Sequence, residues 1–196
     1  AWTSIAGEKY VAIGTSQGLF LYYGNDFYDI SPLDTAITGF TFTTTNGSAT
    51  VTVNKTSHGL SAGRFFTFTS VTLPGSGTGY VAADFTGTPY EVVTASTNSF
   101  TITMASVESG AGITAAGSAT VNPYVEVGPT FQTAGYGWGT DTWSTSTWGT
   151  ERTTSDVILD PGNWSLDNFG EVLVATIFGN KTFTWNAGAS GARAIR

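Results

Sequence analysis

His58 is the one histidine in this 196-residue sequence, and there is no cysteine. One His without Cys cannot compose a conventional zinc site, and thiol chemistry and disulfide stapling are excluded. A Ser-His-Asp triad would have to recruit His58, yet no nucleophile-elbow pattern accompanies it. His58-Gly59-Leu60 reads instead as a structural corner. The Gly-rich loop at 74–79 lacks the Lys and following helix of a phosphate-binding loop. Carboxylates approach one another in sequence at Asp156 with Asp160 and at Asp167 with Glu171, pairs that could serve a glycosidase. They sit among turn residues, however, where Asp and Asn side chains bond their own backbone. The turn oxygens of Asp160–Asp167 follow no calcium-loop pattern. The expectation is a protein that is not an enzyme, with no catalytic residue, cofactor or metal ligand.

Tryptophan is the residue type with the sharpest spacing. Trp138, Trp143 and Trp148 recur every five residues in the Gly/Ser/Thr-rich run 135–150. Five matches neither the strand period nor the helix period, so the indoles need not share a face. An extended arm is expected there rather than a packed element. Leaving three indoles in water exposes apolar area at roughly 25 cal/mol per Å², so they should be buried against something. A neighbouring subunit or the body of the chain's own sheets is the favoured surface, with core packing within the chain and stacking on a sugar as rivals. Tyr136 and Trp164 join them as expected interface residues.

The elements that must position these groups are strands. The composition includes 35 Thr, 25 Gly, 13 Phe, 8 Tyr and 6 Trp; Thr and aromatics suit a pleated surface and Gly supplies corners. No ten-residue stretch has helical periodicity, so the fold class is all-β. Short strands are expected at 10–14, 19–23 and 27–30, closed by Pro32, which cannot donate to a central ladder. In the C-terminal part, 160–163 and 166–170 read as corners, 171–178 as a buried strand, and 181–185 as a hairpin arm with Phe183 and Trp185 on one face. Sliding the chain by 163 residues lays Gly7-Glu8-Lys9-Tyr10-Val11-Ala12 on Gly170-Glu171-Val172-Leu173-Val174-Ala175, and Phe20-Leu21-Tyr22 on Phe183-Thr184-Trp185. A repeated unit that cannot bury its own faces points to an array such as the four-stranded blades of a β-propeller. Between the copies, five alternating strands in 38–104 suit a small barrel or sandwich. The expected organisation is therefore 1–35 with 123–196 as a propeller-like sheet portion and 36–107 as an inserted β-barrel. Residues 108–122 would be a Gly/Ala/Ser-rich flexible linker, and 124–127 one more strand.

The runs Gly18-Leu19-Phe20-Leu21-Tyr22 and Tyr28-Asp29-Ile30-Ser31-Pro32-Leu33 resemble those of a tailed-bacteriophage tail structural protein. So do the strand leading into His58–Gly63, the Trp-Gly-Thr repeats at 137–150 and the run Trp164–Glu171. The likeness runs over nearly the whole chain. It implies a tail component, and some short-tailed phages use a propeller-bearing protein as tail tube or nozzle. Residues 48–104 also resemble a small barrel inserted in many phage proteins, where the residue after Ala-Gly is commonly acidic. Here that residue is Arg64, at a turn position expected to face solvent.

With net charge −7 and a pI near 4.4, sequence-specific nucleic acid and anionic membranes are not expected partners. No signal peptide or membrane-spanning run is visible. The start at Ala1 without Met and the stop at Arg196 fit a piece of a longer chain. The resemblance implies a virion location and other tail subunits as partners, in a homo-oligomeric ring; the alternative is a module binding a host glycan or receptor.

Overall fold

The structure is a computed structural model that describes residues 1–128, 162–178, 181–186 and 193. The described residues are all-β, with antiparallel sheets and one four-residue helix, α1 (Ala82–Phe85). The chain divides into two compact units: Ala1–Ile30 with Val127–Arg196, and Ser31–Glu126. No helix among the described residues is long and apolar enough to cross a membrane.

The first unit holds two meanders. β1 (Trp2–Thr3), β2 (Lys9–Gly14), β3 (Leu19–Tyr23) and β4 (Asp26–Asp29) pair in sequence order. A second sheet is formed by β12 (Trp164–Phe169), β13 (Val172–Ile177) and β14 (Thr182–Asn186), also in sequence order. Leu166–Phe169, expected as a corner, is strand: β12 pairs with β13 from Trp164↔Ile177 to Phe169↔Val172, leaving only Gly170 and Glu171 to turn. Gly170 sits at φ +61° and Gly7, in the β1–β2 turn, at φ +85°, conformations that favour glycine. The 163-residue offset superposes β2 on β13 and β3 on β14 residue for residue at their ends. Yet the third strands show opposite faces: Leu19 and Leu21 are buried in β3, against Phe183 and Trp185 in β14. Four residues separate the pair Gly14↔Leu19, five the pair Thr176↔Thr182. One extra loop residue slips the register by one, which exchanges the two faces of the strand.

The inner faces of the two meanders meet through aromatic rings. Trp2 stacks on Tyr10 (5.4 Å between centroids) and meets Trp185 edge-on at 6.3 Å; Tyr10 stacks on Tyr23 at 4.7 Å. The Trp164 indole covers Gly14, where a Cβ would lie 2.4 Å from its ring, and donates to the Thr15 carbonyl at 2.9 Å. Ile5 N–H donates to Glu171 Oε1 at 2.8 Å, tying the β1–β2 turn to the β12–β13 turn.

The second unit is one curled sheet ordered β8-β7-β11-β5-β6-β10-β9. Its strands are β5 (Ile37–Thr43), β6 (Thr50–Asn54), β7 (Phe65–Thr72), β8 (Pro89–Glu91), β9 (Thr94–Ala95), β10 (Ser99–Thr103) and β11 (Ala116–Pro123). The two edge strands are separated only by Val92 and Val93. Val92 N–H donates to Arg64 O on the β7 side and Val93 N–H to Thr101 O on the β10 side, so one bent segment serves both edges. Inside lie Phe40, Phe42, Phe66, Phe68, Phe85, Phe100 and Ile102, all buried. Alternation along the strands puts them there.

Residues 108–122 are not a linker, because β11 is a central strand paired with β5 and β7. Its small residues fit a bulge: the pairing shifts register near Gly117, which has φ +77° and where a Cβ would lie 2.5 Å from Thr72 O. The inserted unit accordingly runs to Glu126 rather than ending at 107. Residues 124–127 add no strand; Tyr124 makes only an isolated bridge to Leu33.

Candidate interaction surface

Glu108, read from sequence as part of a flexible stretch, is 1% exposed. Its carboxylate accepts from Gly79 N–H at 2.5 Å, Gly110 N–H at 2.8 Å and Thr78 Oγ1 at 2.7 Å. Burial pushes this carboxyl up, but the bonds from Gly79, Thr44, Thr78 and Gly110 outweigh it and hold it down at about 2. The group staples the 77–79 and 108–112 loops together, which is a structural task.

Arg64 does not face solvent either. Its guanidinium donates to Tyr124 O, pairs with Asp34 at 3.1 Å and with Glu126 at 3.3 Å. With the Leu33↔Tyr124 bridge, it clamps the segments by which the chain enters and leaves the second unit. His58 is buried at a corner as expected: Nδ1 accepts from Leu60 N–H at 3.0 Å and the ring meets Phe100 edge-on. Among the described residues no three His, Cys, Asp or Glu side chains gather as a metal site.

In the first unit, Glu8 accepts from the hydroxyls of Tyr10 and Tyr23. These bonds, Tyr10 first, hold Glu8 below its ordinary value; in return Glu8, and then burial, push the Tyr10 phenol up to about 12. Every described carboxylate in these networks is thus occupied by partners of its own chain.

Among the described residues, several large hydrophobic side chains of the first unit are exposed. Directly opposed residues share a face, so Val11↔Tyr22↔Phe27 and Ile13↔Phe20↔Asp29 line up across the outer face of β2–β4. Phe27 is 67% exposed, and Val11 and Ile13 each more than a third. Tyr22 and Phe27 rings lie 5.0 Å apart. Ile5, in the β1–β2 turn, is 94% exposed, and Phe169, the last residue of β12, 84%. Of the residues expected at an interface, Trp164 is half-buried within its own unit. Tyr136, Trp138, Trp143 and Trp148 lie outside the described residues. Sequence reasoning missed the β2–β4 face because residues 9–14 are apolar at consecutive positions, Tyr10 to Ile13, which hides which side is inward.

No family model matches the chain, and no curated protein matches it. Among solved structures, the phage phi92 endosialidase is similar over 96% of this chain and 29% of its own, at 15% identity and a TM-score of 0.36. The chain spans less than a third of that protein's length.

Proposed function

We propose that this chain is a structural component of a bacteriophage tail, acting by subunit–subunit binding in a ring-shaped assembly of the virion. In this reading β1–β4 and β12–β14 are propeller blades and the curled sheet is a guest inserted between them. The observation that carries the binding reading is the outer face of β2–β4, where Phe27 is 67% exposed and Val11 and Ile13 each more than a third. A sheet apolar on both sides is characteristically covered on both. The sequence likeness to tail proteins supplies the setting. The chain works without catalysis, and the polar networks built on Glu8, Glu108 and Arg64 serve architecture.

The test is to delete the coding sequence from a phage that carries it. Particles without complete tails are the expected result. Intact particles that fail only to adsorb would replace this reading with host-receptor binding, and particles unchanged in both respects would remove it.

A further inference from the structure

We propose that Asn46-Gly47 is a gated self-modification site, at which the asparagine amide is lost as ammonia once the 108–110 segment lifts away. It is the only Asn-Gly pair in the sequence. Both residues are exposed, in the turn between β5 and β6 that Ser48 N–H closes onto Thr45 O at 3.0 Å. Water therefore reaches the pair.

The chemistry needs no catalyst. Gly47 N attacks Asn46 Cγ and its proton passes to solvent. As the new C–N bond closes a cyclic imide, the Cγ–Nδ2 bond breaks and ammonia leaves. Water then opens the ring at one or the other carbonyl. The product is aspartate or, with the backbone rerouted through the side chain, isoaspartate. Glycine in the second position favours attack, since no Cβ crowds its nitrogen.

In the folded chain both reacting groups are held by one neighbouring segment. Gly47 N–H donates to Glu108 O at 2.8 Å, and Asn46 Nδ2 donates to Gly110 O at 2.6 Å. A carbonyl oxygen is too weak a base to remove the proton it accepts, so the first bond keeps the nucleophile protonated. The second tethers the leaving nitrogen. The segment itself is pinned. Glu108 N–H donates to Ser48 O at 2.9 Å, and the Glu108 carboxylate accepts from Thr78 and Gly79. Gly110 packs so closely on the 77–79 loop that a Cβ there would lie 2.7 Å from Gly77 O.

Reaction therefore proceeds through the open state, at a rate set by how often the segment opens. It is also one-way. An aspartate at 46 has no N–H to offer Gly110 O, and an acceptor facing an acceptor hinders reclosing. The pair is a built-in record of loop opening in the second unit.

The experiment incubates the full chain in neutral buffer, in low urea and in denaturing urea. Peptide mapping by mass spectrometry with isoaspartate detection follows residue 46, and hydrogen exchange follows the Gly47 amide. Two variants loosen the gate: T78V, which removes one donor to Glu108, and E108Q. Circular dichroism shows whether each is folded. In denaturing urea Asn46 should convert faster than any other asparagine of the chain. In the folded wild type it should convert about tenfold more slowly or less. Across the wild type, the folded variants and low urea, conversion should rise in step with exchange at Gly47. Equal rates in folded and denatured chain overturn the gate, as does conversion that ignores Gly47 exchange. Absence of conversion in denaturing urea overturns the site itself.

Discussion

Replacing Glu108 by Gln tests the tightest polar site in the molecule. The carboxylate holds Gly79 N–H, Gly110 N–H and Thr78 Oγ1 at 2.5–2.8 Å while only 1% exposed. Gln keeps Oε1 for the two glycine amides but as a weaker, uncharged acceptor, and puts an NH₂ where Oε2 accepts the Thr78 hydroxyl, so that donor loses its partner. Such a loss costs 1–3 kcal/mol, more when the acceptor was charged, and E108Q should destabilise the second unit by about 3 kcal/mol. For a domain of this size that lowers Tm by about 10–20 °C. The pH dependence has a definite sign. A carboxyl titrating at about 2 when folded and at the ordinary 4.5 when unfolded contributes stability that is fully present above 4.5. That contribution disappears as pH falls toward 2. Its size at neutral pH is about 2 kcal/mol once solvent screening at the loop is allowed for. All six Trp lie outside 31–126, so indole fluorescence does not report this unit. Thermal unfolding should be followed by far-UV circular dichroism between pH 2 and 7, with hydrogen exchange at the Gly79 and Gly110 amides. The wild type should lose stability across the acid range while E108Q, lacking the group, shows the flatter profile and faster exchange at both amides. Protected amides and an unchanged Tm in E108Q would refute the assignment of Glu108 as the loop staple.

Three further outcomes follow from the same geometry. Gly14→Ala places a Cβ about 2.4 Å from the Trp164 ring, so the indole must leave Thr15 O; a loss of about 2–4 kcal/mol and a red-shifted Trp emission in denaturant titration are expected. Arg64→Ala removes the donors to Tyr124 O and both ion pairs; it should cost about 1–3 kcal/mol, with Arg64→Lys recovering only part because one ammonium cannot span the fork. Tyr10→Phe frees one side of Glu8, and ultraviolet titration should lose a tyrosine ionising at about 12.

Particular elements show where legibility ended. The alternation Phe40-Thr41-Phe42 and Phe66-Thr67-Phe68 announces a sheet with one wet face. The matching Gly-Glu turns at 7–8 and 170–171 announce two related meanders, and both are present. β11 escaped notice because Ala116-Gly117-Ser118-Ala119 carries no bulk to mark an inward side. Its place at the centre of the sheet comes from partners on β5 and β7, remote in sequence. Glu108 and Arg64 escaped for a similar reason. A charge in a loop looks solvated until distant donors or carboxylates close around it.

By itself, then, the amino-acid sequence determined the all-β class, some of the turns and the absence of familiar catalytic motifs, because these follow from side-chain period, Gly placement and residue type. Tertiary structure alone decided the rest. Which apolar side of β2 and β3 turns inward depends on a one-residue difference in loop length, read only through pairing. Which charges are buried depends on segments that meet across the sheet, and no local pattern encodes that meeting. The exposure of Val11, Ile13 and Phe27 is the consequence: local chemistry made both sides of the sheet apolar, and packing chose the one to bury.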